Sequence, residues 1–219
     1  NNPFLKCSYK GNEPYISEKW NIKIYSSNKI VSNDIEVLNE ILQDKIQLPD
    51  LSLKLLQIDD SGWGFPICGV MVGISDGTKI LSDMVSVSFF QGEIFERKEY
   101  LNEYANKGLS LLNEFCPSPK THRIEICTGY INTVLKNRIR KLGYDVRVTD
   151  VKGFLQDEFE KSFKNEVLKQ TGLDLTYDPK NMEKKKISKA YKNVLAYGMT
   201  QVPHLLKTGW KSIKKEIGE

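Results

Sequence analysis

Apolar and polar residues change their spacing several times along this chain, and each change predicts an element. Leu53–Ile58 is an apolar run that ends in Asp59-Asp60. A turn follows, Ser61-Gly62-Trp63-Gly64-Phe65-Pro66, and Ile67–Ile74 is a second apolar run. Asp76-Gly77 is a hairpin signal. Within Lys79–Phe90, Val85, Val87 and Phe89 alternate with Ser86 and Ser88, as in a third strand. The period then becomes helical. Arg97–Phe115 carries Tyr100, Leu101, Tyr104, Leu109, Leu111 and Leu112, which suits an amphipathic helix, closed by Pro117 and Pro119. Arg123–Cys127 is a short strand, Asn132–Leu142 a helix stopped by Gly143, and Tyr144–Thr149 another strand. Phe154–Gln170 is a helix with the stripe Leu155, Phe159, Phe163 and Val167, ended by Gly172.

The predicted order is β-β-β-α-β-α-β-α over residues 51–172. The last two strands, joined by a helix, are expected to be parallel and buried. Residues 1–50 read as a small N-terminal unit with a strand at Asn21–Tyr25 and a helix carrying Ile35, Leu38, Ile41 and Leu42. Residues 173–219 read as a tail with helices at Lys184–Leu195 and Val202–Ile217.

Charge sharpens this division. The 219 residues carry a formal net charge of +4. Residues 180–219 hold ten Lys (180, 184, 185, 186, 189, 192, 207, 211, 214, 215) against three Glu (183, 216, 219), a balance of +7, so the first 179 residues carry −3. An acidic body with a basic tail points to a polyanionic partner, with nucleic acid first. Lys184, Lys185 and Lys186, interleaved with Tyr191, Tyr197 and Trp210, suit phosphate contact and base stacking, and equally a solvated helix face. No apolar run approaches the ~18–20 residues of a membrane span. Residues 1–20 are polar and contain Pro and Gly, unlike a signal peptide. Four scattered cysteines without a CxxC pair suit a reducing, cytoplasmic compartment, and with only His122 and His204 a zinc site or histidine-driven hydrolase is disfavoured.

The candidate chemistry is carboxylate. Asp59 and Asp60 end the first strand of the body, although they also suit an ordinary turn. Glu125 sits between Ile124 and Ile126 in the fourth strand, unless that strand is a wet edge. Asp157, Glu158 and Glu160 lie in the first turns of the last body helix. Taking Leu155 as the core direction, Glu158 lies about 60° from it, and Asp157 and Glu160 about 160° and 140°. Glu158 is therefore the preferred helix carboxylate, with Asp157 second. Gathered carboxylates repel and are relieved by a hard divalent cation, Mg²⁺ or Mn²⁺. Two such ions can activate a water and stabilise the leaving oxygen of a phosphodiester. Asp59, Glu125 and Glu158 are the expected ligands, with Asp60 in support. Thr128-Gly129-Tyr130 could offer amides to a phosphate, although a plain loop explains it as well.

The run Ile58-Asp59-Asp60-Ser61-Gly62-Trp63-Gly64-Phe65-Pro66 resembles the first-strand motif of type 2 ribonucleases H, Asp-Glu-Ala-Gly-Arg-Gly with Pro shortly after. The element order resembles the ribonuclease H-like fold over about Leu51 to Gly172. Trp63 stands where that family has Arg. Glu125 stands where it has Asp, as in Holliday-junction resolvases of the same superfamily. The resemblance implies a metal-dependent nuclease acting on RNA, DNA or a hybrid and leaving 3′-hydroxyl and 5′-phosphate ends. Asp59 and Asp60 would sit at the ions, and the Gly62-Trp63-Gly64 backbone would lie against the nucleic acid. The alternative is a non-catalytic nucleic-acid-binding or assembly module with the same fold.

Overall fold

The computed structural model describes residues 15–17, 22–24, 30–32, 53–115, 117–151, 153–175 and 184–218. The chain divides into two compact units, Asn1–Leu53 and Lys54–Glu219. In the first, β1 (Tyr15–Ser17), β2 (Ile22–Ile24) and β3 (Ile30–Ser32) form a three-stranded antiparallel sheet. The helix expected around Ile35–Leu42 lies outside the described residues.

The second unit is an α/β body built on a mixed five-stranded sheet. Its strands are β4 (Lys54–Ser61), β5 (Val70–Ser75), β6 (Ile80–Val85), β7 (His122–Cys127) and β8 (Asp145–Thr149). The order across the sheet is β6-β5-β4-β7-β8. β4, β5 and β6 run antiparallel, whereas β7 lies parallel to β4 and β8 parallel to β7. β4 is therefore central. Its register pairs Asp59 with Gly73 and Asp60 with Val72 on one side, and Ile58 with Ile126 on the other.

Strand alternation sends residues to two cores. Leu56, Ile58, Val72, Ile74, Ile124 and Ile126 pack under helices α2 (Glu99–Glu114) and α3 (Thr133–Lys141), which follow a short α1 (Gly92–Glu96). Met71, Phe65 and Ile67 face α4 (Phe154–Thr171) on the opposite side. Close approach there needs Gly73, since a Cβ at this position would lie 2.7 Å from the Phe159 ring.

Besides the helix expected over Val202–Ile217, which is a 3₁₀ turn at Pro203–Leu205 followed by a separate helix over Lys211–Ile217, three sequence expectations change. The alternation through Phe89 does not extend the strand. β6 ends at Val85, and the Ser86 side chain accepts the Ser88 N–H to start a 3₁₀ turn over Val87–Phe90. Gly198 does not break the tail helix, so α5 runs over Lys184–Gln201; the bare glycine sits against Ile67 and Leu206, where a Cβ would meet the Ile67 side chain at 2.6 Å. The third change concerns residues 173–219, which were expected to be a separate tail. Their described part belongs to the body. Val194, Leu195, Val202, Leu206 and Ile213 are buried in the α4-side core, Ile213 from the last helix α6 (Lys211–Ile217). Leu206 bridges Ile67, the Cys68 N–H donates to Leu205 O at 2.8 Å, and the Gly209 N–H donates to Phe90 O at 3.0 Å. Apolar burial explains this, because a helix with buried Val and Leu at helical spacing cannot stand free in water.

No helix among the described residues is long and apolar enough to cross a membrane.

Candidate functional site

β4 carries its polar end into the body. It continues through Asp59-Asp60 to Ser61, so both acids are strand residues rather than turn residues. Asp59, 6% exposed, accepts the Asp60 N–H at 2.8 Å. Asp60 accepts from Asn132 Nδ2 at 3.1 Å, and Asn132 is held in turn by the Tyr104 hydroxyl, which donates to its Oδ1 at 3.0 Å. Gly129, after β7, allows this approach; a Cβ there would fall 2.8 Å from Asp60 Oδ1.

One step beyond the Ile58–Ile126 pair, β7 ends at Cys127. Donor atoms of Asp59, Asp60 and Cys127 all lie within 4.8 Å of one another. A cavity of about 550 Å³ opens over them, lined also by Gly62, Trp63, Gly64 and Glu160. Such a position, at the carboxyl ends of neighbouring parallel strands, is where open α/β sheets bind ligands.

Burial, with Asp59 next in effect, pushes the Asp60 carboxyl up to about 7 against the opposing pull of Asn132 and Lys207. Burial also pushes the Cys127 thiol up to about 11, assisted by the two carboxylates. Asp60 therefore keeps its proton in the folded chain at pH values where the unfolded chain has lost it. Between the ordinary value of 3.8 and about 7, the folded state binds more protons, so metal-free protein is expected to lose stability as pH rises through this window. Thermal unfolding in chelator at about pH 4 and about pH 7 checks this; Asp60→Asn should remove Asp60's part of the difference.

A scan against models of known protein families matches none, and a search of curated proteins matches none.

The remaining sequence candidates fall differently. Glu125 pairs in register with Gln57, whose Nε2 donates to Glu125 Oε2 at 3.3 Å, and it does not line the cavity. The strand position beside Asp59 belongs to Cys127, since a two-residue period separates it from Glu125. Glu158 is exposed, lies 3.9 Å from Lys161, and like Asp157 is not part of the cavity wall. The helix carboxylate on the wall is Glu160. The correction is angular. The buried stripe Leu155, Phe159, Phe163 and Val167 advances about 40° per step, so its centre lies about 60° past Leu155. Measured from that centre, Glu160 is about 80° away and Glu158 about 120°.

Gly62 and Gly64 line the cavity as part of the turn, with Gly62 at φ +88 and a would-be Cβ 2.3 Å from the Phe163 ring. Trp63 also lines it, packed at 5.5 Å on Tyr100 and 5.8 Å on Trp210. Trp210 is therefore part of an aromatic cluster, and the Tyr197 hydroxyl donates to Thr171 O at 2.8 Å, so neither is a free stacking platform. Lys184, Lys185 and Lys186 open α5, with their side chains outside the described residues.

Sequence reading missed two residues. Cys127 had no motif to announce it, although strand parity after Glu125 marks the position. Lys207 was counted only as tail charge. It is fully buried, its Nζ donates to Gly62 O at 2.5 Å, and it lies 5.2 Å from the centroids of both Phe90 and Trp210.

Proposed function

We propose that this protein is a divalent-metal-dependent nuclease with a ribonuclease H-like body, hydrolysing phosphodiester bonds of RNA, DNA or a hybrid. The observation that carries the reading is the convergence of two adjacent carboxylates on the central strand, under a cavity rimmed by a glycine turn. Support for the fold comes from the strand order β6-β5-β4-β7-β8, with three antiparallel strands followed by two parallel ones.

The donor set fits a hard cation. A partly buried Asp60 beside the buried Asp59 favours either a proton or a positive ion, and Mg²⁺ or Mn²⁺ takes carboxylate oxygen. Asp59 and Asp60 would hold it, with Cys127 adjacent; Asp150 and Glu160 are the further carboxylates on the cavity wall. When bound, such ions acidify a water and stabilise charge on phosphate oxygens. The protein's own part is positional. Asn132 and Tyr104 fix Asp60, and the Asp60 N–H fixes Asp59. Gly62–Gly64 backbone amides offer neutral donors to a phosphate that the carboxylates would otherwise repel. Free thiols at Cys68 and Cys127 suit a reducing compartment such as the cytoplasm.

A second reading, a nucleic-acid-binding module without chemistry, is favoured by one observation: Glu125 is engaged by Gln57 rather than standing at the acid pair. Incubation of the full chain with Mn²⁺ and single-stranded, duplex, hybrid and branched oligonucleotides separates the two. Cleavage of at least one is expected, and binding without any cleavage leaves only the second reading.

A further inference from the structure

Lys207 is the most unusual side chain in the body: an amine buried completely and, among the described residues, without a salt bridge to a carboxylate, although Asp60 lies near enough to feel its charge. Among the described residues its one hydrogen-bond acceptor is Gly62 O; the faces of Phe90 and Trp210 lie over it, and Cys68 and Asp60 are near enough to act on its charge. Burying an amine in this way is costly, and a hydrophobic side chain of the same length would fill the slot without that cost. Its presence therefore calls for a local task.

The acceptor identifies the task. Gly62 O also accepts the Phe65 N–H at 3.1 Å, closing a turn over Gly62–Phe65. A trans peptide unit is planar, with its C=O and N–H pointing in opposite directions. Pulling Gly62 C=O toward Lys207 thus sends the Trp63 N–H the other way. Among the described residues, none of the turn's backbone hydrogen bonds uses the N–H of Trp63 or Gly64. Gly62, Trp63 and Gly64 all line the cavity above Asp59 and Asp60. The segment bearing Lys207 is fixed on both sides, since the Lys207 N–H donates to Pro66 O at 3.0 Å and the Gly209 N–H to Phe90 O.

We propose that Lys207 is a positioning residue: by holding the Gly62 carbonyl from behind, it fixes the Trp63 amide as a preformed donor to a backbone phosphate of the nucleic acid. The inference rests on the nuclease reading of the same cavity, but it concerns phosphate capture rather than the chemical step. Lys207 does not touch the substrate; it acts through Gly62. It also makes the chain's C-terminal segment a working part of the site.

The test uses the full chain with Lys207→Met, which keeps length and packing and removes the donor. Binding of a fluorescent single-stranded oligodeoxynucleotide is followed by anisotropy in Ca²⁺, and Mn²⁺ binding by paramagnetic resonance. The expected result is a split: oligonucleotide affinity falls about tenfold, the scale for loss of preorganised hydrogen bonds to a charged group. Mn²⁺ affinity is kept or rises, because a positive charge near Asp60 has been removed. A merely structural role would weaken both together, and that result overturns the proposal, as does unchanged oligonucleotide binding. If Lys207→Met does not fold, Lys207→Gln is read by the same two criteria. Failure of the nuclease reading looks different: wild type itself then binds neither Mn²⁺ nor oligonucleotide, and the proposal falls with it.

Discussion

Asp59→Asn is expected to abolish Mn²⁺-dependent cleavage while leaving the fold and nucleic-acid binding intact. The substitution is isosteric. The amide oxygen of Asn can still accept the Asp60 N–H that Asp59 accepts at 2.8 Å, so the strand end keeps its geometry. The charge is what disappears. A metal ion's contribution to stabilising a phosphoryl transition state is several kcal/mol, and losing that much slows turnover about a thousandfold or more. Binding draws instead on the glycine turn and on basic side chains, which this variant does not touch. Initial rates on the best-cut oligonucleotide, with affinity measured in Ca²⁺, separate the two. An Asp59→Asn protein that cuts at the wild-type rate would remove this residue from the site.

Ending the chain after Gln201 is expected to unfold the body rather than trim an accessory tail. The cut removes buried Val202, Leu206 and Ile213, together with Lys207. Burial of three aliphatic side chains contributes roughly 4–9 kcal/mol, comparable with the whole stability of a typical domain, about 5–15 kcal/mol. The cut also exposes Ile67 and Phe90, both at 0% exposure in the intact body, and strips acceptors or donors from Cys68, Pro66 and Phe90. Circular dichroism and urea unfolding should find no cooperative transition in the truncated chain. By contrast, Lys184, Lys185 and Lys186 changed together to Gln should leave the transition in place, since these residues open α5 ahead of its buried Val194 and Leu195. A stably folded truncated chain would contradict the placement of these elements in the core.

The two cases show what a single sequence makes legible. Strand and helix order in the body follow from periodicity, because each element has one or two faces to bury and Leu53–Ile58 or Arg97–Phe115 writes that face plainly. Asp59 and Asp60 stand out because carboxylates interrupt an apolar strand. The finer placement depends on quantities that spacing alone does not contain. Glu158 and Glu160 differ by the direction of the α4 stripe, which only the whole run of four buried residues defines. Glu125 and Cys127 differ by two residues of register between β4 and β7, set by pairing across the sheet. Lys207 looks like its nine lysine neighbours in the C-terminal segment until Leu206 and Gly209 are docked on Ile67 and Phe90. Its burial is a tertiary fact, produced by the apolar residues around it rather than by its own chemistry.

The basic segment and the acidic body also take new meanings. One of the ten C-terminal lysines faces inward, behind the glycine turn. Another, Lys214, donates to Glu96 at 2.8 Å and ties α6 to α1. The positive charge of this region is thus partly structural, and any role in holding nucleic acid belongs to the lysines that remain exposed, such as Lys189, Lys192, Lys211 and Lys215.

Mn²⁺ binding to the chelator-stripped full chain, read by paramagnetic resonance, addresses the metal site without depending on a choice of substrate. The account predicts saturable binding by wild type, competition by Mg²⁺, and loss of the bound signal in Asp59→Asn. A wild-type chain that binds no Mn²⁺, or an Asp59→Asn chain that binds it equally well, would contradict the claim that Asp59 and Asp60 form a divalent-cation site.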